Sequence, residues 1–289
     1  VFLISIILQS CISEPKVIWQ IGESDNSCAE FSLAPNEYDQ FLENDFGWED
    51  RFFLVGSSTI EKDWPYVLPG PSDTWGGTWS TSGWRSHSLN ILFSLDNKPL
   101  KGTWKFIVDL LDVHPDDAPV FKITVNGQSW KFELPKGSGN NTLVGESIEG
   151  LEHLIEIPLP AALIKSGGNS ISLTSLQGSW LLFDQVRLEG PATATLKENH
   201  QVFIREAKAA DYEIETEVGY AQPLLLDLEH LSGTPQLSVV LDGDEIFTAR
   251  IEMGRYIFEA PMPAVSSARN SRYKVFIDGE EIQSGRVER

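Results

Sequence analysis

The sequence predicts an all-β protein, and three features of its patterning carry that prediction. Apolar and polar residues alternate over short segments, which is the two-residue period of a half-buried strand. Turn dipeptides with a strong hairpin preference interrupt these segments at Asn126-Gly127, Asp242-Gly243 and Asp278-Gly279. No stretch with apolar residues at helical spacing is of convincing length; the best candidate is residues 35–44, which begin with a proline suited to a first helical turn. Many short strands punctuated by glycine and proline favour β-sandwiches.

The first block of strands covers residues 18–190, and we expect it to form a jelly roll. Residues 103–111 alternate large apolar side chains on one face, and residues 121–134 contain two strands around an Asn-Gly turn. Residues 170–176 and 180–188 add two more strands. Three tryptophans alternate with aliphatic residues on these strands and are predicted to be core residues. They are Trp104, Trp130 and Trp180.

A second block of strands covers residues 201–289, after residues 191–200, which carry little apolar periodicity and are predicted to be a linker. About 90 residues with two Asp-Gly hairpins suit a small immunoglobulin-like or fibronectin-like sandwich. The strand pattern continues almost to Arg289, and the chain does not begin with Met. We therefore expect a longer gene product with a further, catalytic domain after this block.

The composition limits the partners of this chain. Its 289 residues include 42 acidic and 22 basic side chains, a formal net charge of -20. A surface this negative repels phosphate backbones and anionic lipid surfaces, so nucleic acid is excluded as an expected partner. Two cysteines are too few for a disulfide scaffold or a four-thiolate zinc site.

The N-terminus is typical of an exported protein. Of residues 1–8, all but Ser5 are apolar, a stretch too short to span a bilayer but suited to the central region of a signal peptide that lacks its basic start. The run Leu8-Gln9-Ser10-Cys11 resembles a bacterial lipobox. That resemblance implies a signal peptide over residues 1–11, a lipid on Cys11 and a linker over residues 12–17. The mature protein would then be anchored at the cell envelope, in the outer membrane or at the cell surface. The alternative is a buried N-terminal strand with a chance cysteine.

Motifs for catalysis are missing from the sequence. It has no GxSxG, HExxH, GxGxxG or P-loop motif, and its five histidines have no metal-ligand spacing. Acidic pairs are frequent, but in so acidic a chain they are typical of solvated loops. No catalytic residue is therefore predicted.

The aromatic-rich segment 48–87 is the strongest indication of a ligand site, because it contains five of the nine tryptophans. Pro, Gly, Ser and Thr separate the rings from Asp63 onward, so we expect most of them on loops. A flat ring covers the apolar face of a sugar, while neighbouring polar groups bond its hydroxyls. The predicted ligand contacts are the rings Trp64, Tyr66, Trp75, Trp79 and Trp84 with the polar groups Asp73, Arg85 and His87. The alternative is an aromatic lid that packs onto the sandwich.

A calcium site is a second expectation. Asp184 lies in the middle of a strand, on its apolar face by simple alternation, so its carboxylate needs a partner. Calcium would serve, with Glu30 and Asp25 as further oxygen ligands. The alternative partner is a cluster of backbone N–H groups.

Two widely separated segments resemble one known module. Trp19-Gln20-Ile21-Gly22 and the run WLLFDQVRLE at 180–189, with matching positions between them at 30–31, 109–110, 125–127 and 169–173, resemble the carbohydrate-binding-like domain III of rhamnogalacturonan lyases in polysaccharide lyase family 4. The resemblance covers roughly residues 17–190. It implies a jelly roll that binds polysaccharide, with the catalytic residues of the lyase on another domain.

The order of lipobox, module and second sandwich also resembles the front end of large surface glycoside hydrolases from gut-type Bacteroidetes. The leading hypothesis is a non-catalytic carbohydrate-binding region of an exported lipoprotein. One alternative is a structural spacer of a larger glycoside hydrolase. The other is that this chain is itself a rhamnogalacturonan lyase or a glycoside hydrolase.

Overall fold

The computed structural model describes residues 15–32, 51–73, 86–97, 102–144, 150–197, 202–217 and 219–289. Within these ranges the chain is almost entirely β-strand, with a single short helix, α1 (Ile60–Asp63). The all-β prediction is therefore confirmed. The predicted helix at 35–44 lies outside the described residues. No helix in the described ranges is long and apolar enough to cross a membrane.

Two sheets form the first sandwich. The strands of the first sheet are β1 (Pro15–Ile21), β3 (Val67–Leu68), β5 (Trp104–Val113), β8 (His153–Leu159) and β10 (Leu181–Pro191). The strands of the second are β2 (Arg51–Leu54), β4 (Ser88–Asn97), β6 (Val120–Val125), β7 (Gln128–Glu133), β9 (Gly167–Gln177) and β11 (Thr195–Lys197). The first sheet has the order β1–β10–β5–β8 with β3 also on β10, and the second has the order β11–β4–β9–β6–β7.

Strand β4 has two short partners on its outer edge. Strand β2 pairs in parallel with its first half, from Leu89 to Leu92. Strand β11 pairs antiparallel with its second half, from Ser94 to Asn97. The long edge of β4 is thus covered along most of its length.

Large aromatic side chains join the two sheets into one core. The ring of Trp19 on β1 lies 5.5 Å from the ring of Phe93 on the opposite sheet and 6.1 Å from that of Phe106 on its own sheet. Trp104 and Trp180 are buried, as predicted. Trp130 is only half-buried, because β7 is the edge strand of its sheet and its hairpin leaves one side of the ring in solvent.

The second sandwich is smaller. One sheet contains β12 (Val202–Ala209), β15 (Pro223–His230) and β18 (Gly254–Pro261), and the other contains β16 (Gln236–Leu241), β17 (Asp244–Arg250), β19 (Asn270–Ile277) and β20 (Glu280–Glu288). A short pair, β13 (Ile214–Thr216) and β14 (Gly219–Ala221), lies beside them. Leu226 of the first sheet and Val239 and Val275 of the second share one buried cluster.

The three predicted hairpins are confirmed. At Asn126-Gly127, Asp242-Gly243 and Asp278-Gly279 both turn residues have positive φ, and the residues on either side of each pair are cross-strand partners. This left-handed backbone matches the twist of the flanking strands, and Asn, Asp and Gly tolerate it best.

Both predicted linkers contain strand residues. Within residues 191–200, β11 joins the edge of β4, where free backbone groups compensate for its weak apolar pattern. Within residues 12–17, β1 already begins at Pro15. The domain boundaries at 18–190 and 201–289 stay predictions.

An apolar cluster connects the first residues of β12 to the first sandwich. Phe203 is buried against Leu54 and Leu92. Gly168 on β9 lies so close to β12 that a Cβ atom there would be 2.4 Å from the carbonyl oxygen of Ile204. Backbone and side chain therefore fix the start of β12 against β9.

Replacing Trp104 with Ala tests the core of the first sandwich. Because this ring is buried between the sheets, the free energy of unfolding should fall by about 3–5 kcal/mol. Urea unfolding followed by circular dichroism measures the loss. Trp130→Ala is the matched control at a half-buried ring and should lose less than half as much; equal losses would contradict the assigned burial.

Candidate functional site

The residues on either side of the most aromatic part of segment 48–87 lie in the first sandwich. Residues 74–85 lie outside the described residues, and with them Trp75, Trp79, Trp84 and Arg85. Their predicted contact with a ligand stays a prediction. The residues that flank this segment are described. Their contacts, given below, form what we call the base of the segment.

Trp64 and Tyr66 precede the loop, and the prediction that they contact a ligand is wrong. Trp64 is 1% exposed and packs edge-on against Phe53 and Phe183, with ring centroids 5.8 and 5.3 Å apart. Tyr66 is fully buried, and its hydroxyl donates a 3.0 Å hydrogen bond to the carbonyl of Leu143. Strand β3 pairs with β10 directly after them and holds this segment in the core. The nearly continuous apolar run 64–68 is the sequence signal for such a buried segment.

Asp73 is also a structural residue and not the polar rim that the sequence predicted. It is 6% exposed, and its carboxylate accepts hydrogen bonds from the N–H of Gly70 at 2.7 Å and from the hydroxyl of Ser179. Burial raises the pKa of Asp73 to about 6. The N–H of Ser72 donates a 3.0 Å hydrogen bond to the carbonyl of Gly178. This bond holds the residues around Asp73 against the turn before β10.

His87 closes the loop on its other side, and it is 1% exposed. Its carbonyl accepts a 3.2 Å hydrogen bond from the N–H of Ser175 on β9. The prediction that His87 contacts a ligand is therefore corrected. Strand β4 begins at the next residue, and His87 is buried together with the start of that strand. Both ends of the loop are fixed in the protein interior.

A neighbouring loop at the same end is organised by Asp112, which sequence reasoning missed. Its fully buried carboxylate accepts hydrogen bonds from the N–H and hydroxyl of Ser138 and from the hydroxyl of Thr142, the last at 2.8 Å. Gly137 leaves no room for a side chain, since a Cβ atom would lie 1.7 Å from the Val113 carbonyl oxygen. The only sequence signal was an acid within the apolar run of β5.

Exposed carboxylates lie beside this base. His114 Nδ1 accepts hydrogen bonds from the N–H groups of Asp116 and Asp117, at 3.2 and 2.9 Å. The His114 ring packs edge-on against Trp180, with centroids 5.6 Å apart. The side chains of Asp116 and Asp117 are exposed. Such groups can accept hydrogen bonds from sugar hydroxyls.

The expected calcium site is not formed. Among the described residues, which include Asp25, Glu30 and Asp184, no group of three His, Cys, Asp or Glu side chains could hold a metal ion. Backbone donors serve instead: Ser27 N–H bonds Asp184 at 3.1 Å, and Glu23 N–H bonds Glu30 at 2.9 Å. Burial, with a smaller contribution from nearby Asp109, raises the pKa of Asp184 to about 6.

The described strands of the first block form a β-sandwich, an architecture that includes the jelly rolls of lectin domains. Residues 17–188 match the family described as CBM-like (carbohydrate-binding-module-like), polysaccharide lyase family 4, domain III. This match covers more than half of the chain, and the chain belongs to that family. Membership supports a carbohydrate-binding role.

A curated relative points in the same direction. The chain is 27% identical over 181 residues to a rhamnogalacturonate lyase of Dickeya dadantii (strain 3937). That alignment covers 59% of this chain and 27% of the relative, so the chain spans about a quarter of the relative's length.

Solved structures are similar only at a low level. A β-galacturonidase from Eisenbergiella tayi bound to galacturonate has 11% identity and a TM-score of 0.25, over 70% of this chain and 34% of that one. A β-glucuronidase from Ruminococcus gnavus has 11% identity and a TM-score of 0.23, over 70% and 34%. TM-scores this low carry no argument about fold or function.

Replacing Asp73 with Asn should make stability less dependent on pH. Burial raises the pKa of Asp73 from 3.8 to about 6, so its charge costs folding free energy above pH 6, and this cost disappears as the pH falls below about 4. The variant should therefore gain about 1–3 kcal/mol on the wild type between about pH 4 and pH 7. Urea unfolding at both pH values measures the gain.

Asp116→Asn removes the same charge from an exposed position at the same end of the sandwich, and it controls for the change in net charge. A difference between Asp73→Asn and the wild type that stays constant over this range contradicts a costly buried charge at Asp73.

Proposed function

We propose that this chain is the non-catalytic carbohydrate-binding region of an exported lipoprotein that belongs to a larger polysaccharide-degrading enzyme. The observation that carries the proposal is the match of residues 17–188 to domain III of a polysaccharide lyase family. The module would keep the enzyme at its substrate while another domain performs the chemistry.

The proposed binding surface is the loop 74–85 on its fixed base. Trp75, Trp79 and Trp84 supply flat rings for the apolar faces of sugars, and Arg85 supplies hydrogen-bond donors. The buried anchor at Asp73 holds one end of the loop, and β4 holds the other. Such anchoring supports the proposal, because fixed flanking residues reduce the conformational entropy that a segment loses on binding.

The proposed ligand class is pectic polysaccharide, since the curated relative is a rhamnogalacturonate lyase. Tryptophan fluorescence of residues 12–289, titrated with pectic and with mannan oligosaccharides, tests this proposal. A saturable change with pectic oligosaccharides alone supports it. If neither ligand changes the fluorescence, the spacer alternative is supported. The burial of Trp64 and Tyr66 already favours a structural role for these two rings. Release of products would identify the chain as an enzyme.

Triple replacement of Trp75, Trp79 and Trp84 with Ala should abolish retention on a pectic affinity gel and leave the Tm within a few degrees. The wild-type interaction should be weak, with a Kd of about 0.1–1 mM. The matched control is Trp130→Ala, which removes a half-buried ring from an edge strand and should keep retention. Retention by the triple variant, or a collapse of its Tm, would remove these rings from the proposed surface.

A lipid on Cys11 is the proposed anchor to the cell envelope, and the lipobox-like run before it supports this. Cys11→Ser in the full-length precursor, expressed in its own host, should abolish labelling by radioactive palmitate and release the protein from membranes. Cys28→Ser is the control, because Cys28 is buried and should not affect labelling. Labelling of Cys11→Ser at the wild-type level would contradict the anchor.

A further inference from the structure

A polar cleft of about 190 Å³ lies where the first sandwich meets the second. Both sandwiches contribute to its wall, which includes the β6–β7 turn, the start of β9 and the outer face of β12, β15 and β18. Its lining residues are Asn126, Lys165, Gly168, Asn169, Ser170, Phe203, Arg205, Glu206, Asp227 and Arg255. The cleft is far along the chain from the aromatic-rich loop and takes no part in the surface proposed there.

The charge of this cleft departs from that of the chain. Over the whole sequence acidic residues outnumber basic ones, 42 to 22. Among the residues that line the cleft there are three basic side chains and two acidic ones, and Glu229, which pairs with Arg205, makes the charges equal. A negative ligand repelled by most of the molecule would meet less repulsion here.

Two arginines in the cleft are held in fixed orientations. Arg255 donates from Nε and Nη2 to the two carboxylate oxygens of Asp227, at 3.0 and 2.8 Å. Arg205 donates from Nε and Nη2 to one oxygen of Glu229. Within the described residues, Nη1 of each guanidinium has no protein partner. Each arginine therefore keeps an oriented donor for a ligand.

Lys165 adds a third cation. Its side chain is exposed, and among the residues that the structure describes its ammonium group forms no ion pair. Its backbone N–H is fixed by a 2.8 Å hydrogen bond to the side chain of Asn169. The charge is thus positioned at the rim of the cleft and not neutralised by the protein.

The remaining wall is rigid and polar. The Asn126 amide donates to the Leu163 carbonyl and to the Asn169 side chain, both at 2.8 Å. The buried ring of Phe203 forms the floor of the cleft. It lies beneath the guanidinium of Arg205, whose central carbon is 5.9 Å from the ring centroid. A cleft of this volume is large enough for a sugar ring.

We propose that this cleft binds one uronate unit, a sugar ring with a carboxylate, at a second site separate from the loop 74–85. The carboxylate accepts charge-assisted hydrogen bonds from Arg205, Arg255 and Lys165. The planar guanidinium groups of the two arginines match the geometry of a carboxylate. The sugar hydroxyls face the β9 side, where the hydroxyl of Ser170 lines the cleft and can donate or accept a hydrogen bond. This inference rests on the proposed carbohydrate-binding function and adds a charge preference to it.

The experiment is an NMR titration of ¹⁵N-labelled protein with sodium galacturonate, galactose and sodium acetate. Galacturonate should shift the amide signals of Gly168, Ser170 and Arg205 with a Kd near about 1 mM, and raised salt should weaken this binding. Galactose lacks the carboxylate and acetate lacks the ring, so each should bind at least about 10-fold more weakly.

Lys165→Gln removes an exposed, unpaired charge and should raise the Kd for galacturonate about 3- to 10-fold. Lys131→Gln, an exposed lysine on the edge strand β7, makes the same change in net charge and should leave the Kd unchanged. Equal binding by Lys165→Gln and the wild type would overturn the proposal. So would equal shifts with acetate, which would reveal a general anion site.

The two proposals fail in different ways. If the triple tryptophan variant still binds pectic oligosaccharides while galacturonate shifts the cleft, the loop platform is wrong and the cleft stands. If oligosaccharides quench the loop tryptophans while galacturonate leaves Gly168 and Ser170 unshifted, the cleft is wrong and the carbohydrate-binding function stands.

Discussion

The pairing of β10 with three other strands is the interaction on which the rest of the structure depends. This strand hydrogen-bonds to β5 along most of its length, to β1 over its second half and to β3 at its start. Just before it, Ser179 holds Asp73 and so the base of the aromatic-rich loop. In its middle, Asp184 binds the backbone of the segment after β1. A shift of one residue in this strand would exchange its two faces and would displace all of these contacts together.

This arrangement places several acidic side chains in the protein interior. Asp73, Asp112 and Asp184 lie in the interior of the first sandwich. Backbone and hydroxyl donors bind Asp73 and Asp112, and a backbone N–H binds one oxygen of Asp184. A buried carboxylate with several such donors fixes the geometry of the segments that supply them, because leaving a buried acceptor unpaired is expensive. The loops at this end of the sandwich are therefore shaped by interior acids more than by contacts among their own side chains.

Turns that depend on neighbouring residues were predictable from the sequence, and contacts between residues distant in sequence were not. The Asn-Gly and Asp-Gly hairpins depend on two neighbouring residues that tolerate positive φ, so the sequence indicated them directly. Trp64 and Tyr66 were misjudged because the proline between them resembles loop punctuation, whereas β3 needs only two residues to hold the segment inside. The junction cleft brings together Lys165 and Arg255, which are distant in sequence and have no shared motif. Only the packing of β12 against β9 makes them neighbours.

The two short strands on β4 have a consequence for the protein at high concentration. A long strand edge offers its unpaired N–H and C=O groups to the edge of another molecule, which is the route to intermolecular sheets. Here β2 and β11 occupy that edge in succession, one parallel and one antiparallel. Each is too short to provide a comparable template itself. The β4 edge of this sheet is thereby protected from pairing with the edge of another molecule.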